Sequence, residues 1–340
     1  MQNWINNKDD SDNIVLSSRI RLARSLREIP FPNRLSDEQG LQVVKSVEDA
    51  FYTNEETKNK FSSKYLWLSS ESENSSFLEK HLISSNLINN HKKAAFILDK
   101  DETISIMINE EDHVRLQCIN AGFNLDETYS IANNIDDVLE SNLEFAFDER
   151  FGYLTACPTN LGTGLRASVM IHLPALSMNN QMSQVLNALT QVGMTIRGLY
   201  GEGSTALSNL YQISNQITLG ISELDILSNL QAVVSQVINQ ENLSRAQLMK
   251  NYKYELQDKI YRSLGILKTA VILPYKECLK LLSNVRMGVE MGIIKEIDKS
   301  ILNSLIVNSK SIAIEKYYEN NMSDKHIDVK RAEFVREKLK

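Results

Sequence analysis

The chain has 340 residues, of which 42% are hydrophobic and 24% charged, as is usual for a soluble globular protein of one large or two smaller domains. Its net charge of −6 argues against broad nucleic-acid binding, which requires a basic surface. The sequence contains no apolar run of the roughly 20 residues that span a bilayer and no secretory signal pattern.

The first half of the chain predicts strands and helices without a regular βαβ period. Polar and apolar residues alternate over residues 17–22, which predicts a strand with Arg19 and Arg21 on one face. Ser36 begins a capping box, and apolar residues at helical spacing follow it as far as Phe51.

Further strands and a helix are predicted along the chain, and together they indicate the fold class. Apolar runs at 94–98 and 103–109 flank four charged residues and predict a hairpin, and a further strand begins at Val114. Residues 124–141 predict a helix, and residues 165–173 alternate again as a strand. The pattern predicts an α+β fold, with a mainly antiparallel sheet flanked by helices.

The last third of the sequence is predicted to be helical. Ser222 caps a long amphipathic helix, Pro274 opens another, and Gly288 and Gly292 are predicted to mark a break. We therefore expect two domains, residues 13–250 and a helical module at 251–340.

Five arginines lie in four short, separate segments. Arginine keeps its proton and presents a planar fork of donors that matches phosphate oxygens. The sequence has no Gly-x-x-x-x-Gly-Lys-Ser/Thr loop and no His-Arg-Asp or Asp-Phe-Gly segment, which argues against P-loop enzymes and the Ser/Thr/Tyr kinase fold. If the chain transfers a phosphoryl group, it must use another arrangement, and a cage of several arginines around a triphosphate would suit that reaction. These arginines are Arg19, Arg21, Arg115, Arg166 and Arg197.

Two glutamates accompany the arginines. Glu111 lies four residues before Arg115, and Glu202 lies five after Arg197. Carboxylates beside a triphosphate are repelled unless a cation lies between them, and a guanidinium substrate satisfies this requirement. Its pKa lies above ~12, so a carboxylate is needed to take its proton as the N–P bond forms.

These segments resemble the signature segments of the ATP:guanido phosphotransferases, which include creatine and arginine kinases. The similar segments are residues 17–21, 109–115, 157–166 and 197–202. Within the family the chain most resembles the bacterial protein arginine kinases, because few residues precede the first segment and the region after 250 is similar to their C-terminal domain. The resemblance implies a glutamine-synthetase-like, phosphagen-kinase catalytic domain and a helical domain for dimerisation and regulation.

The resemblance also assigns roles to residues. Glu111 would be the catalytic base, Glu202 its partner in gripping the guanidinium, and Cys157 a reactive cysteine near the acceptor nitrogen. Ile327 replaces the first arginine of a phosphoarginine-binding motif, which puts in doubt an allosteric pocket at Asp328, Arg331 and Ala332. The implied ATP-binding residues are Ser17, Ser18, Arg19, Ile20, Arg21, His81, Arg115, Arg166, Ala167, Ser168, Val169, Met170, Arg197, Gly198, Leu199, Tyr200, Gly201 and Glu202.

Simpler interpretations stand beside these roles. Cys157 is equally well explained as a small buried hydrophobe, and Asp328 and Arg331 as an ordinary i, i+3 helix pair. Gly162 and Gly164 would serve either turn geometry or close approach to phosphate. The three scattered cysteines form no disulfide or zinc pattern, so a reduced cytoplasmic protein is expected.

The resemblance finally implies cofactors and partners. ATP would bind with Mg²⁺, held through phosphate oxygens and water rather than by protein ligands. Protein substrates presenting arginine, a homodimer, the activator McsA, a ClpC-type chaperone and the repressor CtsR are implied, in a stress response that marks proteins for Clp-protease degradation. Two alternatives remain: a kinase of small guanidino metabolites, and a catalytically silent adaptor that binds client proteins.

Overall fold

The computed structural model has an antiparallel sheet flanked by helices and a helical C-terminal region, which confirms the predicted fold class. Two compact units make up the chain. The first consists mainly of Ser17–Ser168 and Ser214–Gln231, and the second mainly of Val169–Ile213 and Ala232–Lys340. The structure describes residues 3, 5, 14–53, 55–198, 206, 208–318 and 322–340.

Eight of the strands form one sheet. In the first unit the strand order is β2-β3-β4-β5-β1-β8, and in the second it is β8-β10-β9, with β1, β8 and β10 contributing residues to both units. The remaining pair, β6 and β7, forms a small hairpin. The strands are β1 (Val15–Arg24), β2 (Phe61–Tyr65), β3 (Ala95–Asp99), β4 (Ile104–Ile108), β5 (Val114–Ala121), β6 (Phe147–Asp148), β7 (Gly152–Tyr153), β8 (Leu165–His172), β9 (Met194–Gly198) and β10 (Leu210–Asn215).

The helices of the first unit pack on the sheet, and in the second unit the helix Met182–Gln191 packs on β9 while the C-terminal helices pack on one another. In the described chain, no helix is long and apolar enough to cross a membrane. The helices are α1 (Asp37–Phe51), α2 (Glu55–Lys60), α3 (Glu71–Glu79), α4 (Ser85–Asn89), α5 (Leu125–Glu140), α6 (Pro174–Met178), α7 (Met182–Gln191), α8 (Glu223–Asn251), α9 (Lys253–Thr269), α10 (Tyr275–Glu290), α11 (Lys299–Asn308), α12 (Ser311–Tyr317) and α13 (Asp324–Lys338).

Strand β1 separates an arginine face of the sheet from an apolar face. Arg19 and Arg21 are half-buried, whereas Ile20 and Leu22 are fully buried, so the predicted alternation is confirmed. Arg21 lies opposite Gln117 of β5, and directly paired residues point to the same side of a sheet. The arginine face therefore continues onto β5.

Helix α1 covers the apolar face. Its predicted capping box is confirmed, since Ser36 and Gln39 exchange side-chain to backbone hydrogen bonds. The ring of Phe51 packs edge-on against Phe61 of β2, with 4.9 Å between centroids. The strand registers place Phe61 on the same side of the sheet as Leu22, so α1 lies opposite the arginines.

One detail of the sequence interpretation is wrong. Gly288 does not break a helix, because it lies inside α10, where an added Cβ would come 2.5 Å from the Ile260 side chain. Gly292, just beyond α10, has a φ of 69° and does mark the end. The buried side of α5 includes Ala132, Asp136 and Leu139, and Asp136 pairs there with the buried Arg24.

The second unit contains a buried ion network. Glu290 of α10 accepts hydrogen bonds from Arg286 Nε at 2.6 Å and Arg245 Nη2 at 2.8 Å, and its Oε2 lies 3.0 Å from His172 Nδ1. Burial alone would raise the pKa of Glu290, but the charges of His172 and these arginines outweigh it and hold the pKa well below its usual range. Glu241 accepts from Arg245 Nε at 2.7 Å.

We expect Glu290→Ala to lower the free energy of unfolding by about 3–5 kcal/mol, because Arg245 and Arg286 would keep buried charges without this carboxylate. Glu277→Ala, at an exposed position of the same helix, should change it by less than about 0.5 kcal/mol. Urea denaturation measures both. A similar small effect of the two substitutions would contradict a stabilising network.

The depressed pKa of Glu290 also predicts a pH dependence. Below the unfolded-state pKa of about 4.3, the unfolded chain binds a proton that the folded carboxylate does not, so stability falls with acidification. Urea midpoints of the wild type should therefore drop more steeply below pH 4 than those of Glu290→Gln. Parallel midpoint curves for the two proteins would argue against this contribution.

Candidate functional site

Four of the five predicted arginines lie together in the first unit. Arg19 and Arg21 lie on β1, Arg115 on the neighbouring strand β5, and Arg166 on the other neighbour, β8. Arg19 Nε donates to Ser168 Oγ of β8 at 3.3 Å, which places Ser168 on the same face. Backbone pairing of three adjacent strands thus holds the four guanidinium groups near one another.

The electrostatics of this cluster favour an anionic ligand. Burial, and then the charges of Arg115 and Arg166, lower the pKa of Arg19 to about 10, which leaves it charged at neutral pH. Burial, together with the charges of Arg19, Arg115 and Arg166, holds the pKa of Arg21 well below its usual range. Arg21 Nε is buried without a hydrogen-bond partner. A bound polyanion would reduce the repulsion between the arginines and could accept a hydrogen bond from Arg21 Nε.

Glu110 is the carboxylate that acts on this cluster, and the sequence interpretation assigned it no role. Its Oε1 accepts a 2.6 Å bond from Arg115 Nη1, and Ser84 Oγ also donates to it. Burial raises the pKa of Glu110, but Arg115 and the hydrogen bonds lower it on balance. Glu110 Oε2 also accepts from the backbone N–H of Glu111 at 2.8 Å, so the same side chain fixes Arg115 and the predicted base.

Glu111 and Cys157 belong to segments that are tied together. Glu111 lies half-buried in the loop between β4 and β5, next to Asp112. Asp112 Oδ1 accepts from the backbone N–H of Ala156 at 2.7 Å and from Ser25 Oγ at 2.8 Å. Cys157 follows Ala156 directly and is only half-buried, so the interpretation as a fully buried hydrophobe does not describe it.

Comparison with known proteins identifies the family. The family model described as "ATP:guanido phosphotransferase, C-terminal catalytic domain" matches residues 42–244, which is more than half of the chain. This chain belongs to the ATP:guanido phosphotransferase family. It is therefore a kinase that uses ATP, and the arginine cluster has the charge that ATP phosphates require.

Within this family, the C-terminal region and the relatives that match the whole chain point to similarity with the protein-arginine kinases. The model described as "Protein-arginine kinase McsB C-terminal domain" matches residues 253–340. A protein-arginine kinase of Clostridium kluyveri is 63% identical, covering 100% of this chain and 99% of that protein. One of Clostridium acetobutylicum is 59% identical, covering 100% of both. The crystal structure of a lombricine kinase is 26% identical with a TM-score of 0.60, covering 71% of this chain and 70% of that one.

His81 lies over the arginine face of this guanidino phosphotransferase. Its carbonyl accepts a 2.8 Å hydrogen bond from Gln117 Nε2, and Gln117 lies opposite Arg21. His81 adopts a positive φ of 61°, which is unusual for a residue with a side chain. The structure therefore brings His81 to the cluster through a backbone contact that the sequence pattern did not predict.

Several predicted ATP contacts have side chains that point elsewhere. Ile20, Ala167 and Val169 are fully buried in the core, so their side chains are not accessible to a ligand. Ser18 Oγ donates to Gly122 O and accepts from Asn124 N, both at 2.9 Å, which anchors β1. Ser17 is buried and Met170 is half-buried.

The fifth arginine segment is described only in part. Arg197 is exposed and Gly198 is half-buried, and they are the last two residues of strand β9 in the second unit. The other predicted residues of this segment lie outside the described residues; they are Leu199, Tyr200, Gly201 and Glu202.

The glycines of the 162–164 loop make room for protein backbone. Gly162 has a φ of 107°, and an added Cβ would lie 2.3 Å from Thr218 O. Gly164 has a φ of 63°, and its Cβ would lie 2.5 Å from Ala23 O. Close approach of neighbouring segments therefore explains both glycines, without a phosphate.

Arg24 is a second buried residue, besides Glu110, to which the sequence interpretation assigned no role. It is 2% exposed and lies on the side of β1 opposite Arg19 and Arg21. Its Nη2 donates to Asp136 at 2.6 Å, its Nη1 donates to Thr163 O at 3.0 Å, and its guanidinium stacks 3.6 Å above the ring of Tyr153. Arg24 thereby fixes the loop that carries Cys157. Its position two residues after the strand's apolar Leu22 was the available signal.

The partial phosphoarginine motif is packed inside the C-terminal region. Arg331 is 1% exposed and donates to Ser309 O at 2.6 Å and Leu273 O at 2.9 Å, and it also pairs with Asp328. Ala332 is buried as well. The Asp328–Arg331 pair is thus the predicted i, i+3 helix pair, and its arginine holds neighbouring helices together.

We expect Arg21→Met to separate stability from ligand binding. Without nucleotide, the free energy of unfolding of the variant should be at least about 1 kcal/mol higher than that of the wild type, because a half-buried, repelled charge is replaced by an apolar side chain. ATP affinity should fall about 10- to 100-fold, as for loss of a charged hydrogen bond. Thermal melts and calorimetric titration with ATP measure the two effects. Arg27→Met, at a pair whose side chains are 60% and 73% exposed, should leave both nearly unchanged.

Proposed function

We propose that this kinase transfers the γ-phosphoryl group of ATP to the guanidino group of arginine side chains in proteins. The observation that carries the proposal is the convergence of four arginines beside the hairpin of Glu111. The cationic face suits the phosphates, and the adjacent carboxylate suits an incoming guanidinium. Relatives named protein-arginine kinase, at 59% and 63% identity over the full chain, favour a protein acceptor.

The residues have distinct tasks in this reaction. A guanidino nitrogen attacks the γ-phosphorus, an N–P bond forms, and the P–O bond to ADP breaks. Glu111 takes the proton that the nitrogen loses, while Arg115 and Arg166 stabilise charge on the transferred group and on ADP. Glu202 remains the predicted second carboxylate, outside the described residues. Cys157 would lie near the acceptor nitrogen.

Mg²⁺ is proposed to enter with ATP. Its preferred ligands are oxygens, and the arginine face offers donors rather than oxygens. Among the described residues, no group of three or more His, Cys, Asp and Glu side chains could hold a metal ion. As the resemblance implies, the phosphates and water would supply the ligands of the ion.

The proposal also has a cellular part. We infer a catalytic domain at 13–250 and a dimerising, regulatory domain at 251–340, with cytoplasmic action in stress response and protein quality control. McsA as activator, a ClpC-type chaperone and CtsR as target belong to the same inference. Its support is the similarity of residues 253–340 to the C-terminal domain of protein-arginine kinases.

Glu111→Gln tests the chemistry. The variant should form phosphoarginine at least about 100-fold more slowly, because a general base contributes roughly 10²–10⁴ in rate, and should still bind ATP. Mass spectrometry at mild pH detects phosphoarginine on an unfolded protein acceptor. Glu102→Gln, in the turn between β3 and β4, serves as the control and should keep its rate within about twofold of that of the wild type.

The acceptor decides among the functions. Phosphoarginine on the protein, with little transfer to free arginine, is the expected result. Transfer to free arginine alone would establish a small-molecule guanidino kinase, and no transfer by the wild type to either acceptor would favour a silent adaptor. An undiminished rate for Glu111→Gln would refute this residue as the base.

A further inference from the structure

The segment of residues 81–90 packs on the same side of the sheet as the arginines. It contributes three buried residues to an apolar cluster with Phe96 of β3 and Met107 of β4; they are Leu82, Ile83 and Leu87. The strand registers pair Phe96 with Met107, and Met107 with Arg115. Because directly paired residues point to the same side of a sheet, the segment lies beside the arginine cluster and not on the side that α1 covers.

Hydrogen bonds anchor both ends of the 81–90 segment to the strands and loop that carry the site. At its start, Gln117 Nε2 of β5 donates to His81 O at 2.8 Å. At its end, Asn90 Nδ2 donates to Glu110 O at 2.9 Å, and between the two ends Ser84 Oγ donates to the Glu110 carboxylate. The segment is therefore held in place by the protein itself.

Gln117 is the anchor that lies within the arginine face. It is 4% exposed and is paired directly with Arg21 in the register of β1 and β5. Arg115 lies two residues before it on the same strand, and hence on the same face. The carbonyl that Gln117 holds belongs to His81, whose φ of 61° is costly for a residue with a side chain and persists only where neighbouring contacts hold it.

The 81–90 segment differs chemically from the arginine face. It contains no Asp, Glu, Lys or Arg, and besides His81 its side chains are hydroxyls, amides and aliphatic groups. ATP has two parts of the same kinds, a triphosphate that carries several negative charges and a nucleoside that carries none. The arginines suit the triphosphate. The adjoining surface of uncharged groups suits the nucleoside.

We propose that Gln117 is a positioning residue for ATP, which holds the 81–90 segment at the arginine face so that this segment contacts the nucleoside. The inference rests on the proposed function, in which the arginine face binds the phosphates. A surface that is already in place does not have to be ordered when the ligand arrives, which lowers the free-energy cost of binding. Gln117 therefore increases the affinity for ATP and takes no part in the transfer itself.

The affinities for ATP and for inorganic triphosphate, both with Mg²⁺, test the proposal by calorimetric titration. Triphosphate has the phosphates of ATP without the nucleoside. We expect the wild type to bind ATP about tenfold more tightly than triphosphate, and Gln117→Met to lose this difference, since a positioned hydrogen bond is worth about a factor of ten. The affinity for triphosphate should stay within about twofold. The KM for ATP should rise about tenfold, with kcat nearly unchanged.

Two further variants serve as controls. Gln42→Met, the same substitution at an exposed position of α1, should match the wild type in both affinities and in KM. Arg21→Met should weaken binding of ATP and of triphosphate alike. Unchanged triphosphate binding in Arg21→Met would contradict the arginine face as the phosphate site, and with it the proposed function.

The outcomes for Gln117 itself are separate from that one. No preference for ATP in the wild type, or a preserved preference in Gln117→Met, would overturn the proposal. Equal weakening of both ligands in Gln117→Met would overturn it as well, because the residue would then support the arginine face as a whole.

Hydrogen exchange of the wild type tests the same contact without a substitution, and it decides the proposal if Gln117→Met does not fold. ATP should slow the exchange of backbone amides in residues 81–90 more than triphosphate does, because only the nucleoside covers this segment. Equal protection by the two ligands, measured by mass spectrometry, would overturn the contact.

Discussion

Repulsion between like charges is the constraint on which the arginine face depends. Besides burial, the charges of Arg115 and Arg166 lower the pKa of Arg19 and of Arg21, yet the four arginines cannot separate because backbone hydrogen bonds join their three strands. The apolar core on the other side of the sheet stabilises this arrangement. A site whose positive charge is fixed before the ligand arrives needs little reorganisation to stabilise a phosphoryl group in transfer.

In the second unit, by comparison, a buried arginine is paired with carboxylates of the protein itself. Arg245 is buried between Glu241 and Glu290; burial lowers its pKa, but the two carboxylates outweigh this and raise it. On the arginine face of the first unit, by contrast, the pKa of Arg21 is lowered by burial and by the charges of Arg19, Arg115 and Arg166, although the charge of Glu110 acts to raise it. The network around Arg245, in which positive and negative charges are paired, contributes to stability. The arginine face has an excess of positive charge, which favours binding of an anion.

Buried residues with complete sets of partners position the groups that face the ligand. Glu110 holds Arg115 and the backbone of Glu111, and Arg24 holds the loop of Cys157 from the far side of β1. These side chains are fixed by several hydrogen bonds each, so they transmit the rigidity of the sheet to the loops. The family's signature residues thus depend on neighbours with no chemical role of their own.

The sequence by itself determined the strand carrying Arg19 and Arg21, the capping box at Ser36, the β3–β4 hairpin and the family, because alternation, caps and motifs are local in the chain. Only the tertiary structure decided that Asp136 is buried, that His81 meets the arginine face through its carbonyl, and that Gly288 permits helix packing. Each of these depends on a partner distant in sequence: Asp136 on Arg24, His81 on Gln117 and Gly288 on Ile260. Local patterns carry no information about such partners, since folding alone brings them together.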